Sequence, residues 1–355
     1  MADINIKRFV DINIQYNVPN AINSERDTVV LLSTEGSNSK AFTYSSLSEW
    51  NAGKNGESSM TETAKYVEVF FSNGGNKLKV VQGVQSGTLA DSITALENEE
   101  IVVAYTGDYD DIKEVAKTRE ANADIYGINQ KILLGRTNEA DTDSVKNFAV
   151  KYSNVEGAEM SIAAYLSNIH IYGTDTVHDY MFTKENLTAE MNDDNTLNTV
   201  LTNNMNVDMY LADATRNLGG NLKDGTDLMN SFMLIVVQQT LTYRILNLLA
   251  TKIKGSKGIA AIYTTIASEL NRYVSNGYLT TDKIWQKGTK TVDYNGKTYT
   301  IIEDNTALVL GYHICILPYN SLSDKDKAER KCSPIYIFLA DSYGIRAVTI
   351  NGEVI

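Results

Sequence analysis

The chain has 355 residues, a net charge of −12 at pH 7, 43% hydrophobic residues and three prolines. That length suits two domains or one domain with a large insertion, and the hydrophobic content excludes a disordered chain. The acidic balance argues against a nucleic-acid or anionic-membrane partner, because phosphate binding needs clustered Lys and Arg.

The first residues, Met-Ala-Asp-Ile-Asn, lack the apolar core of a signal peptide. Residues 3–18 then alternate with period two. Ile4, Ile6, Val10, Ile12, Ile14, Tyr16 and Val18 fall on one side, Asp3, Asn5, Lys7, Asp11, Asn13, Gln15 and Asn17 on the other. This predicts a long half-buried strand ended by Pro19, with no turn to fold it onto an immediate partner. From Asp27 the pattern changes. Thr28–Leu32, Leu78–Val81, Ile101–Tyr105 and Ile132–Leu134 read as strands, and Ser58–Phe71, Leu89–Leu96, Asp110–Glu120 and Ala158–Ile169 as helices. Strand and helix in alternation predict an α/β layer on a parallel sheet. The stretch 175–204 is polar, with Asn192-Asp193-Asp194-Asn195 read as a loop, and a domain boundary is placed near Asn204.

Beyond it, a glycine-bearing loop, Leu218–Gly225, leads into the two longest helices. The first runs from a cap at Thr226 or Asp227 to about Lys252 and is apolar nearly all round between Phe232 and Val237, which predicts a core helix. Its unbroken apolar run is far shorter than the roughly 20 residues of a membrane span, so a soluble chain is expected. The second, Lys257–Ser275, carries Ile259, Ile262, Tyr263, Ile266, Leu270, Tyr273 and Val274 on one stripe and stops at Gly277. Lys290–Val292 and Thr298–Ile302 flank the hairpin signal Asn295-Gly296, and Ala307–Ile316 reads as a further β segment.

The last stretch begins with a short charged helix, capped by Ser323 and with Asp324 at its positive end. Pro334 forbids more helix, and Ile335–Leu339 and Ile345–Ile350 read as strands. Asn351-Gly352 then signals a hairpin for which only Glu353-Val354-Ile355 remain as the return arm. Both ends of the chain therefore read as strands to be completed by another chain.

Chemistry is sparse. Cys315 and Cys332 have neither metal-ligand spacing nor the look of a disulfide framework, which points to a reducing compartment. His170 closes a helix, His178 lies on a mixed segment, and His313 sits two residues from Cys315 on one face of a strand, without an orienting third group; structural roles are favoured for all three. Gly36-Ser-Asn-Ser-Lys40 lacks the glycine spacing of a phosphate-binding loop. Gly219, Gly220 and Gly225 mark a helix start that suits an anion, but a tight turn into a core helix is the plainer reading. Asp108, Asp110 and Asp111 follow a strand end where α/β sheets bind ligands, and serve as well as the cap and acidic first turn of the next helix. The 21 tyrosines suit extensive protein contacts, against a plain compositional bias. No catalytic, cofactor-binding or metal-ligating set emerges.

Several pieces, taken in order, resemble one family. They are Tyr44-Ser-Ser-Leu-Ser-Glu-Trp50, Ala64–Gly75 with its Phe-Phe-Ser helix end, the strand Lys77–Val81, and the Asn-rich, Tyr-ending Asn203–Tyr210. Gly220–Asp227 before the core helix, Asn247–Lys252, Gly258–Gly277 and Asp324–Ile355 with its Ala347-Val-Thr-Ile-Asn-Gly follow. The chain resembles the contractile-tail sheath proteins polymerised around the tube of myophages and related contractile injection particles. It departs from them at Ala340-Asp-Ser-Tyr-Gly344, which leaves the pairing register there open, and it is short for its subgroup.

The resemblance implies an α+β inner domain facing the tube, built from an N-terminal arm (1–25) and residues 205–355 with a C-terminal arm at 341–355. An outer α/β domain over 26–204 is inserted between them. The extended β-arms, through Ile4, Ile6, Val10, Ile12 and Ile14 at one end and Val348, Ile350, Val354 and Ile355 at the other, would add strands to adjacent subunits. It further implies a structural subunit rather than an enzyme, which polymerises helically and contracts by subunit rotation to drive the tube through a bacterial envelope. Its partners would be other copies of itself, the tail tube protein, and baseplate and terminator proteins, with no nucleic acid, no membrane insertion and no cofactor. Assembly would take place in the host bacterial cytoplasm, as part of a virion tail or phage-tail-like particle. The charged helix offers Lys325, Lys327, Arg330 and Lys331 for tube contact, against the plainer reading of a solvated amphipath. The alternatives are a non-contractile tube or baseplate component, and an α/β nucleotide-binding enzyme using the strand end near Asp108.

Overall fold

The computed structural model describes residues 13–14, 29–37, 40–97, 100–122, 130–169, 179–191, 193–250, 255–329 and 331–342. In chain order the first elements are β1 (Asn13–Ile14), β2 (Val29–Leu32), β3 (Ala41–Tyr44), α1 (Leu47–Asn51), α2 (Thr61–Ser72), β4 (Leu78–Val81) and α3 (Leu89–Thr94). Next come β5 (Val102–Tyr105), α4 (Tyr109–Ala121), β6 (Ile132–Thr137), β7 (Phe148–Tyr152), α5 (Met160–Ser167), α6 (Asp194–Thr202), β8 (Asn206–Leu211) and β9 (Ala214–Leu218). The rest are α7 (Leu228–Ala250), α8 (Gly255–Ser275), β10 (Lys290–Tyr294), β11 (Lys297–Ile302), β12 (Tyr312–Ile316), α9 (Asp324–Ala328) and β13 (Ile335–Leu339).

Aliphatic runs too short for helices bury best in a parallel sheet covered on both faces. Val29–Leu32 and Val102–Tyr105 are buried at every position and lie next to each other in such a sheet. Among the described residues this sheet has eight strands in the order β3-β4-β2-β5-β6-β7-β8-β9. The ladder is parallel from β4 through β8, with β3 and β9 antiparallel at the edges. Alternate side chains divide between two cores. Val29, Leu31, Val102, Ala104 and Leu134 face α2 and α5, while Val30, Leu32, Val103, Leu133 and Val150 face α3, α4 and α6.

The first core does not end at that layer. It continues through α7, where Phe232, Met233, Ile235, Val236 and Val237 are buried, to α8 and to Ile335, Ile337 and Leu339 of β13. Leu228–Leu249 is long and apolar enough to cross a membrane, a property that the short run Phe232–Val237 understates. In this fold 67% of its most apolar window is buried in the protein interior. The α8 stripe closes as expected: Gly277 takes φ +78, and Tyr278 N–H reaches Tyr273 O at 2.9 Å. Asn295 and Gly296, at φ +49 and +75, form the expected tight turn of the β10–β11 hairpin.

Several expectations are corrected. β8 pairs with β7 and β9, so a division at 204/205 cuts through a continuous sheet. Asp193–Asn195 is not loop, because the Asp193 carboxylate accepts from Asn195 N at 3.0 Å and Thr196 N at 3.2 Å and caps α6. Of Ala307–Ile316, only Tyr312 onward is strand; Val309 and Leu310 are exposed. The N-terminal strand has a partner within the chain where it is described, since Asn13 and Ile14 lie parallel to Tyr336 and Ile337. Residues 3–12 and 15–18 of that strand lie outside the described residues, as do His170, His178, Arg330, the strand 345–350 and the C-terminal arm residues Val348, Ile350, Val354 and Ile355.

Candidate assembly interface

The described strands nearest each end of the chain, β1 and β13, meet in a sheet ordered β1-β13-β12. β13 is the apolar pentapeptide Ile-Tyr-Ile-Phe-Leu, and its period-two pattern serves two layers. Ile335, Ile337 and Leu339 point into the core shared with α7 and α8, while Phe338, with Tyr336 packed beside it, joins Ile301, Ile302 and Leu317 on the other side. Along one edge β12 pairs with all five residues of β13, from Tyr312↔Leu339 to Ile316↔Ile335. Along the other, β1 matches only Tyr336 and Ile337. The residues on either side of Asn13 and Ile14 lie outside the described residues, whereas β12 has, among the described residues, no strand neighbour on its outer edge. A strand edge of this kind is a template for an added strand.

The sheet is firmly seated. Tyr312 donates its hydroxyl hydrogen to Asn271 Oδ1 on α8 at 3.0 Å, and Ala340 N donates to Gly311 O at 2.9 Å. The chain after β13, where the register was open in sequence, is fixed by an antiparallel bridge between Leu279 and Asp341 and by the ion pair Lys283–Asp341 at 2.6 Å.

The charged helix α9 precedes β13. Ser323 Oγ accepts from Asp326 N at 3.0 Å, the expected cap. Its cations are not bare. Lys327 pairs with Asp324 at 3.4 Å, Lys331 with Glu329 at 2.8 Å and Asp326 at 3.0 Å, and Lys325 with Glu329 at 3.9 Å. The Ser323 hydroxyl and then Lys331 hold the Asp326 carboxyl well below the usual carboxylate range. Tyr294 OH lies 3.5 Å from Asp326 Oδ2, and Asn295 Nδ2 donates to Ser321 O at 2.8 Å, so the β10–β11 turn supports this helix. Lys325 remains the most outward of these lysines, with 81% of its side chain exposed.

The other residues singled out in sequence are placed structurally. His313 Nε2 lies 3.1 Å from Ile301 O, with its ring against Phe338, and burial pushes the neighbouring Cys315 thiol up. The Gly219-Gly220 loop is a turn held by Asn206, whose side chain accepts from Gly220 N at 2.6 Å and donates to Asn221 O at 3.0 Å and Val150 O at 3.2 Å. Asp108 precedes α4 without capping it, and Asp110 and Asp111 occupy its first turn. Among the described residues no group of three His, Cys, Asp or Glu is placed to hold a metal ion. Sequence reasoning missed a buried cluster around Lys151, and a polar cleft beside Asp108 that contains Glu159.

Comparison with solved structures places the same fold in contractile sheaths. The anti-feeding prophage helical sheath in its contracted state matches with a TM-score of 0.63 at 12% identity, covering 97% of this chain and 98% of that one. The sheath complex of an extracellular contractile injection system, PVC, in the contracted state gives 0.62 at 10% identity, covering 97% and 96%. A chain of the contracted anti-feeding prophage baseplate gives 0.59 at 10% identity, covering 97% of each. No family model matches the sequence, and no curated protein does. The chain has the fold of these sheath proteins over nearly its whole length.

Proposed function

We propose that this chain is a non-enzymatic structural subunit of a contractile sheath, which stacks helically around an inner tube and drives it forward by contracting. The observation that carries the reading is fold agreement with contracted sheath subunits over 97% of this chain, with no large element left over on either side. In this reading the terminal arms, including Ile4, Ile6, Val10 and Ile12 at one end and Val348 through Ile355 at the other, pair with neighbouring copies. The layer from α7 to β13 faces the tube, with Lys325, Lys327, Arg330 and Lys331 available for contact. The eight-stranded layer, through β9, faces outward. Tube, baseplate and terminator proteins are the remaining partners, and the product is a phage tail or phage-tail-like particle assembled in the bacterial cytoplasm.

Electron microscopy of the purified chain tests this. Hollow tubes or stacked rings are expected, and removal of residues 1–12, which spares β1, or of 350–355 should abolish them while far-UV circular dichroism keeps its parent shape. A monodisperse small species from the parent chain refutes the sheath reading, and unchanged polymers from both truncations refute the role of the arms.

A further inference from the structure

Where β5 and β6 end, the chain forms a solvent-open cleft of about 350 Å3. It is walled by Tyr66 on α2, Tyr105 and Asp108 around the end of β5, Arg136 on β6, and Glu156 and Glu159 ahead of α5. The carboxyl ends of parallel strands form such crevices because the connecting loops diverge there.

The charges in this cleft do not balance. The lining holds three carboxylates, Asp108, Glu156 and Glu159, against one described cation, Arg136. That cation is already engaged, donating to Glu156 Oε1 at 3.1 Å and to Ser153 O at 3.2 Å. Glu156 also accepts from Tyr66 OH at 3.2 Å. Glu159 stands apart. It is 2% exposed, yet its Oε2 has no hydrogen-bond partner, and burial pushes its carboxyl up to about 7. A buried carboxylate oxygen without a donor costs stability, and a positively charged N–H donor would restore it. The nearly buried rings of Tyr66 and Tyr105 line the same space and suit a cation. An anion would meet three carboxylates. The volume is at the low end for small-molecule sites, which start at about 300 Å3, so one head on a short stem fits.

We propose that this cleft receives one alkylammonium or guanidinium head, with Glu159 as its buried carboxylate partner and Asp108 at its mouth. The head belongs to a free small amine or to a Lys or Arg side chain of a second copy. The proposal stands independently of the sheath reading, since the unassembled chain suffices to test it.

Isothermal titration of the full chain with 1,4-diaminobutane and with methylguanidinium is the measurement, with sodium acetate as the anion control. Saturable one-to-one binding of at least one cation is expected, and none of acetate. Affinity should fall about tenfold or more in Glu159→Gln, as loss of a charge-assisted hydrogen bond implies, and by a smaller factor in Asp108→Asn. Asp108→Asn, on the surface, keeps the test open if Glu159→Gln does not fold. Binding lost on assembly assigns the head to a neighbouring copy; binding retained assigns it to a free amine. No saturable binding of either cation, or equal affinity in the parent and both variants, overturns the proposal.

Discussion

Lys151 is a buried cation in the large sheet, paired with two buried carboxylates. Its side chain is 0% exposed, on β7, and Nζ lies 2.8 Å from Glu185 Oε2, 2.8 Å from Asp208 Oδ1 and 3.2 Å from Asn217 Oδ1. Burial works to lower its pKa, but Asp208 and Glu185 outweigh it and the net shift is upward. Lys151→Met keeps the stem and removes the charge, leaving two carboxylates at 2% and 4% side-chain exposure without their cation. Removing one partner of a buried ion pair costs about 3–5 kcal/mol, a large part of the roughly 5–15 kcal/mol that holds a protein folded. Urea denaturation of the unassembled chain, followed by circular dichroism, should show that loss at pH 8. Burial raises the folded-state pKa of the Asp208 carboxyl, so it binds its proton more tightly folded than unfolded. Its penalty is therefore greatest above that folded pKa and shrinks as pH falls, so the deficit should be smaller at pH 5. Adding Glu185→Gln and Asp208→Asn should recover most of the stability. A loss at pH 8 below about 1 kcal/mol, or a pH-independent deficit, would refute the view that charge balance matters here.

Two further outcomes follow from the described contacts. Glu159, raised from 4.5 to about 7 by burial, favours the folded state when protonated and loses that contribution as pH rises through about 7. Relative to Glu159→Gln, the parent should lose about 2 kcal/mol between pH 5 and pH 8.5 in urea titrations, because each tenfold difference in proton affinity between the folded and unfolded chain is worth roughly 1.4 kcal/mol. Parallel pH profiles would contradict this. If α9 contacts the tube, Lys325→Glu with Lys327→Glu should reduce cosedimentation of tube with sheath, and parent binding should weaken with salt. Equal cosedimentation at every salt concentration would remove α9 from that role.

The sequence was most readable where local pattern and tertiary role agree. Val29–Leu32 is a short, fully buried aliphatic run that suits a buried strand, Ile335–Leu339 is an apolar run after a proline, and α8 carries its stripe openly. It was least readable where distant contacts override local character. β7 contains Lys151, which suggests a surface strand until residues 34 and 57 positions away supply its counter-charges. The β8–β9 hairpin turns at Ala212, held at φ +59, without the glycine or asparagine that usually marks such a turn. α6 buries only Val200 and so carried no core signature. The cleft brings together Tyr66, Asp108, Arg136 and Glu159, which share no motif and meet only because β5 and β6 are adjacent in the sheet.

The continuity of the large sheet across residue 204 bears on how such a chain can be shortened, lengthened or recombined. A graft cut between α6 and β8 would leave a two-stranded ribbon on one fragment and the bare flank of β7 on the other. It would also separate Lys151 from Asp208 and Asn217, leaving unmatched polar groups on both pieces. The workable seam lies after β9, where Asn206 has already drawn the chain into the turn before α7. The eight-stranded layer is thus exchangeable only as a unit that carries its own last hairpin with it.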